Sequence, residues 1–199
     1  WNDDEVVDRE QDPLEFFGKI LNLLRDKLKS TRFENEIDRI FYGKMRYYRR
    51  CINVPFSEIN TESFNNITLE TKSFKNFEDS LFDSIEPQLS TGDNLYKTKE
   101  YGLQEVEIGS EYLEFPLVQY FHLNRIFYDK KKCKPVLNNS RFEFPLSIDM
   151  AQFLADDSPQ KTEDMIYDLF GVVAHAGEIT SGHFYAYLRT DPKEDIDKW

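Results

Sequence analysis

Between residues 112 and 128 the chain reads YLEFPLVQYFHLNRIFY, a long run of aromatic and branched side chains that favours extended backbone. It predicts a central β-strand, and Pro116, which has no N–H to give to a ladder, confines that strand to starting after it. A central strand needs neighbours on both sides. Upstream, IDRIFYGKMRYYRRCINVPFSEI and NITLETKSF read as two strands, followed by a short amphipathic helix in NFEDSLFDSI. The turn-rich STGDN at 90–94 precedes YGLQEVEIG, a further strand region. Downstream, RFEFPLSID (141–149) reads as a short edge segment and AQFLADD (151–157) as a short helix. MIYDLFGVVAHAG (165–177) and GHFYAYLRT (182–190) read as two more strands around an eight-residue connection with Gly at both ends.

A helix comes first. In PLEFFGKILNLLRDKLK (13–29), Leu14, Phe17, Leu21, Leu24 and Leu28 follow the spacing of a buried helical stripe. Asp12 stands at the N-cap, Pro13 in the first turn and Glu15 three residues after the cap, close to a capping box. One helix followed by many antiparallel-looking strands with short helices inserted predicts an α+β fold. Seventeen Phe and eleven Tyr against eight Gly agree with a sheet-containing core.

The formal net charge of -12 sets a phosphate backbone against this chain, so nucleic acid is excluded as a partner. The same charge suits a basic partner, such as an arginine-bearing peptide, or serves solubility alone. With only Cys51 and Cys133 and no CxxC, neither a disulfide framework nor a four-thiolate zinc site is available within these residues. No signal peptide and no long apolar run are found, which predicts a soluble chain with no membrane partner, cytoplasmic or nuclear. The chain begins at Trp1 rather than Met, as a piece of a longer protein would.

His183 is the best candidate for chemistry. It follows Gly182 at the start of an alternating strand, with Tyr185 and Tyr187 on its face and Phe184, Ala186 and Leu188 on the other. A neutral imidazole can take a proton from a thiol and later deliver it to a leaving amine. On periodicity alone, a histidine at a strand end is more often structural or solvated than catalytic. His175 ends the preceding strand, so a hairpin would place it near the same mouth, while His122 lies inside the central strand. Three histidines without HxxH or HxH spacing make a weak metal case. Cys133 lies among lysines in a turn and Cys51 lies mid-strand; neither has the helix N-terminus that a reactive thiol favours. The residues alone offer a base and no nucleophile.

Several segments, taken in order, carry a resemblance. EQDPLEFF (10–17) resembles a Q-x-D-x-x-E-F box, and YGLQEVEIGSEYLEFPLVQYFHLNRIFYD (101–129) a Y-G-x-Q…L-P-x-V-L-x-L-x-L-x-R-F strand. NSRFEFPLSID (139–149) resembles an N-x-R-F-x-F-P blocking loop, and VVAHAGEITSGHFYAYLR (172–189) a V-x-H-x-G…G-G-H-Y box. These are motifs of the ubiquitin-specific proteases, papain-like cysteine peptidases that remove ubiquitin, and the pattern is most similar to the herpesvirus-associated type. The resemblance implies a hand-like catalytic domain: the end of the thumb at 1–36, fingers gripping ubiquitin at 37–110, and the palm at 111–199. It implies that His183 is the catalytic base and that Asp12 and Glu15 hold the arginine-bearing ubiquitin tail. Arg125 would line the tail channel, and His175 and Gly177 would belong to a loop over it. Ubiquitin and ubiquitinated proteins are the implied partners, with no cofactor and with metal-free fingers.

The departures are informative. The family's G-x-x-C-Y-x-N box, source of the thiol nucleophile, would belong before Trp1, and the third triad member, an Asp or Asn, follows a tryptophan that Trp199 matches. G-G-H-Y is here Ser181-Gly182-His183-Phe184, R-F is Arg125-Ile126, and the first box is shortened to Gln11-Asp12-Pro13-Leu14-Glu15. The leading expectation is part of the catalytic domain of a thiol-dependent deubiquitinase, unable to hydrolyse as it stands. The alternative is a catalytically inactive ubiquitin-binding module. Two structural expectations follow from the palm: that 117–128 and the strands around His175 and His183 share one sheet, and that the palm exposes an apolar face.

Overall fold

The computed structural model describes residues 12–160, 165–179 and 181–189. Gln11, the tail after Arg189 and Trp199 lie outside them. Helix α1 spans Pro13–Leu28, α2 Glu36–Phe41 and α3 Phe77–Asp83. Among the described residues fourteen strands accompany these three helices. In the first half these are β1 (Gly43–Cys51), β2 (Ser57–Phe64), β3 (Asn66–Glu70), β4 (Gln88–Ser90), β5 (Tyr96–Thr98) and β6 (Gly102–Gln104). Then follow β7 (Val106–Glu114), β8 (Tyr120–Asn124), β9 (Ile126–Asp129), β10 (Lys134–Leu137), β11 (Ser147–Asp149) and β12 (Ile166–Asp168). The last two are β13 (Gly171–Glu178) and β14 (Ser181–Leu188). Mostly antiparallel strands with few helices agree with the α+β expectation.

The Asp12 carboxylate accepts from the Leu14 and Glu15 N–H groups at 2.7 and 3.3 Å, so the sequence signal for the start of α1 is met. Glu15 turns to Lys19, one helical turn on, at 2.5 Å. The apolar stripe is less buried than its spacing predicts. Leu21 is fully covered, but Leu24 is exposed, as are Phe16, Ile20 and Leu23 on the flank beside it. Phe17 anchors the helix by stacking on Tyr120 of β8 and meeting Phe41 of α2 edge-on.

A four-stranded antiparallel sheet in the order β2-β1-β7-β4 extends from the body. Its central pair is locked by Tyr48, whose ring lies across Gly109, and by Arg46, which bridges Glu111 and Asp157. The core lies beneath the sheet's end, where Leu69, Leu81, Tyr112, Phe115, Phe142, Met150 and Phe153 pack together. Burying each such side chain stabilises the fold by roughly 1.5–3 kcal/mol.

The long central strand is broken into pieces. β7 ends at Glu114, and Phe115 leaves the ladder: its N–H donates to Gln160 Oε1 at 2.6 Å and its carbonyl accepts from Gln160 Nε2 at 2.8 Å. Pro116, fully buried, cannot rejoin, and its carbonyl accepts from the Tyr167 hydroxyl at 2.5 Å. The chain resumes as β8, which pairs in parallel with β3, and then as β9, which pairs with β10. The expectation of one sheet is therefore not met, and the support it gave to the palm assignment is lost: among the described residues β8 pairs with β3, while β13 and β14 pair with each other. Elsewhere the first upstream run divides into α2, β1 and β2, and 151–157 holds only a single 3-10 turn at Met150–Phe153. The strand 165–177 is interrupted between β12 and β13, where the Leu169 N–H bonds back to Leu146.

Candidate functional site

His183 stands near the turn end of the β13–β14 hairpin. Register pairs Glu178 with Ser181, so two residues close the turn rather than eight. Gly177 sits at φ +113°, where a Cβ would meet the Ser181 carbonyl at 2.8 Å and the Gly182 Cα at 2.9 Å, so the tight turn requires glycine there. Opposite His183 is Ala176, and along its face lie Tyr185 and Tyr187, their rings 5.6 Å apart. Small residues across the ladder leave the imidazole exposed on that face.

His175 belongs to the other face. It pairs with Phe184, ring centroids 4.8 Å apart, and its imidazole lies directly over Gly182, leaving no room for a Cβ. The two histidines thus share a hairpin end but not a face, because side chains alternate along a strand. The expectation of a common mouth holds only for their height along the hairpin. Each face carries exposed apolar side chains: Tyr185 and Tyr187 on the side of His183, Val173 and Leu188 on the side of His175.

Asp12 and Glu15 occupy the N-terminus of α1, next to β8. Burial, and after it the Asp12 carboxylate, hold the Tyr120 phenol above its ordinary range. Tyr120 is thus a neighbour of the acidic pair that sequence reasoning passed over. Nothing in local spacing pairs residue 12 with residue 120; the contact arises from α1 packing on β8. Arg125, at the joint of β8 and β9, points its guanidinium at the carbonyls of Asn138 and Ser140, at 3.1 and 3.0 Å. Its hydrogen bonds are therefore to the chain entering 139–149.

Neither thiol joins these groups. Cys51 pairs with Val106 at the far end of β1, and Cys133 sits at φ +50° in the β9–β10 turn. Among the described residues no cluster of His, Cys, Asp and Glu could hold a metal ion, and no helix is long and apolar enough to cross a membrane. A shallow depression of about 530 Å³ lined by Phe74, Asp79, Phe82, Asp83, Ile85 and Glu86 lies on α3 and includes none of the residues named above.

The sequence model of one protein family, described as ubiquitin carboxyl-terminal hydrolase, matches residues 4–199. Among curated proteins, ubiquitin carboxyl-terminal hydrolase 15 of Saccharomyces cerevisiae is 34% identical over 188 residues, covering 90% of this chain and 15% of the relative. Ubiquitin carboxyl-terminal hydrolase 5 of Schizosaccharomyces pombe is 35% identical over 182 residues, covering 92% and 16%. Ubiquitin carboxyl-terminal hydrolase 7 of Drosophila melanogaster is 34% identical over 186 residues, covering 94% and 16%. The chain thus spans about one sixth of the length of the curated relatives it matches.

Proposed function

Because this chain belongs to the ubiquitin carboxyl-terminal hydrolase family, we propose that it forms part of the catalytic domain of a thiol-dependent deubiquitinase, with His183 as the general base. The observation that carries the reading is the position of His183: exposed at the end of a tightly closed hairpin, in a chain that matches the family from residue 4 to residue 199. In this scheme His183 takes the proton of a cysteine thiol, and the thiolate attacks the carbonyl of ubiquitin's C-terminal glycine. The imidazolium then protonates the departing amine, and a water, activated in turn by His183, releases ubiquitin from the thioester. Cys51, at the end of β1, and Cys133, in the β9–β10 turn, both lie outside the β13–β14 hairpin, and in this scheme neither is the attacking thiol.

The four-stranded sheet suits the fingers expected at 37–110, with β7 carrying them on to Glu114. The exposed apolar faces of α1 and of the β13–β14 hairpin suit contact with further parts of a catalytic domain. Asp12 and Glu15 suit an arginine-bearing tail, since a capping carboxylate keeps acceptor sites for a guanidinium. The second reading, a ubiquitin-binding module without turnover, is favoured by both cysteines lying outside the β13–β14 hairpin that carries His183.

The test uses the full-length protein and a fluorogenic ubiquitin C-terminal amide. Replacing His183 by Ala is expected to lower kcat by roughly 100-fold or more while ubiquitin binding persists. Unchanged turnover in that variant would remove His183 from the mechanism. Binding without turnover in the unaltered protein would leave the second reading standing.

A further inference from the structure

Thr71, Arg125 and Asn138 come from three separate stretches of chain and meet in one polar knot. The Thr71 hydroxyl, on a residue only 3% exposed, donates to the Asn124 carbonyl at 2.7 Å, spanning from the end of β3 to the end of β8. The Asn138 amide Nδ2 donates to the Thr71 carbonyl at 2.9 Å and to its hydroxyl oxygen at 3.3 Å. Asn138 also meets Arg125 twice: its N–H donates to the Arg125 carbonyl at 2.7 Å, and its carbonyl accepts from the Arg125 side-chain Nη1 at 3.1 Å. The remaining side-chain oxygen of Asn138 accepts from the Ser140 N–H at 3.1 Å, and Arg125 Nη1 closes the circuit on the Ser140 carbonyl at 3.0 Å. Every polar atom of Asn138 is used.

Beyond the knot the segment stays tied. Phe142 is buried in the core, the Glu143 N–H donates to Lys75 at 2.8 Å, and its carbonyl accepts from Phe77 at 2.8 Å. A segment fastened at 138–140 and again at 142–143 is a wall, and the knot sets where that wall begins. Chain ends of this kind are not free to adjust, because losing one member strands the buried partners of the others.

We propose that Thr71 and Asn138 are positioning residues that, with Arg125, hold segment 138–143 rigid, so that ubiquitin's tail meets a preformed wall and not a mobile flap. The ubiquitin half of this statement rests on the function proposed above and on the resemblance of 139–149 to a blocking loop. The rigidity half stands on the hydrogen bonds alone.

Hydrogen exchange read over residues 138–146, together with ubiquitin titration, separates the two halves. Thr71→Val keeps the shape and removes the hydroxyl; it is expected to speed exchange in 138–146 about tenfold and to weaken ubiquitin binding by a similar factor. Thr71→Ser, which restores the hydroxyl, should return both readings to those of the unaltered protein. Leu69→Val, a cavity in the same core, supplies the comparison for general loosening. Exchange that is unaltered in Thr71→Val, or raised equally by Leu69→Val, overturns the knot as a positioning device. Faster exchange with unchanged ubiquitin affinity overturns the wall as part of the channel. If the unaltered protein does not bind ubiquitin, the proposed function fails, and exchange still decides whether the knot holds the segment.

Discussion

At the scale of single residues, Asp12 carries two demands on one carboxylate. Its Oδ1 accepts both helix N–H groups, so the cap explains the residue without any ligand. The proposed contact with an arginine-bearing tail needs the charge as well. Asp12→Asn keeps the acceptor and removes the charge, and should cost only a few tenths of a kcal/mol in stability, whereas Asp12→Ala should cost about 1 kcal/mol. Ubiquitin affinity should fall in both variants, which titration calorimetry can read beside a thermal melt. Affinity that follows only the melting temperature would reduce Asp12 to a cap. The same substitution has an optical signature: with the carboxylate gone, the Tyr120 phenol should titrate at lower pH than before, though burial still holds it up. Gly177 offers a cleaner backbone test. At φ +113° with two backbone contacts under 3.0 Å, Gly177→Ala should open the turn beside His183 and cost on the order of 1–3 kcal/mol in local stability. Exchange protection of β13 and β14 measures it, and unchanged protection would show that the turn tolerates a Cβ.

At the scale of elements, what the sequence made legible was local and what it hid was long-range. The start of α1 could be read because cap, proline and apolar stripe all lie within one segment. The face assignment of β14 was equally legible, since alternation is a property of neighbouring residues: His183, Tyr185 and Tyr187 do share a side. The run 112–128 misled because its composition is that of a single buried strand. What divides it is Gln160, forty-five residues away, which takes both backbone groups of Phe115, together with Pro116 in the core. The parallel pairing of β3 with β8 is hidden for the same reason. The stripe of α1 was read correctly as apolar but overestimated as buried. Phe16, Ile20 and Leu23 add a second apolar flank at i, i+4, i+7 spacing, which periodicity cannot tell from the first. At the candidate site, the Asp12 cap was legible in local spacing, whereas the role proposed for His183 came from its motif alone. The hydrogen bonds that join Arg125 to Asn138, and Asn138 to Thr71, were hidden because each is an ordinary loop residue until the third joins it.

At the scale of the whole molecule, Tyr112 is the point where the extended sheet and the core are fastened together. It pairs with Met45 in β1, packs on Phe64 and Phe115 at 5.5 and 4.8 Å, and its carbonyl accepts from Ala155 at 2.8 Å. Only 1% of it is exposed, and burial pushes its phenol up to about 12. The hydroxyl's contact with Ser84 Oγ, at 3.5 Å, is too long to offset that cost. The folded chain therefore keeps the phenol proton at pH values where the unfolded chain, titrating near 10, has lost it. Because the native state binds the extra proton, stability falls as pH rises across this window: the contribution is whole below about pH 10 and gone above about 12. The loss amounts to roughly 3 kcal/mol. Tyr48, Tyr120 and Tyr167 are raised as well, so alkaline weakening is shared, but Tyr112 is the most deeply buried of the four. Tyr112→Phe keeps the ring packing and deletes the titrating group, so it should match the parent within about 1 kcal/mol at pH 8. Denaturant unfolding at pH 8 and pH 11 should then show a distinctly smaller drop for Tyr112→Phe than for the parent. An equal drop in both would mean that the sheet and the core part before the phenol ionises, and that Tyr112 is not the joint on which the fold depends.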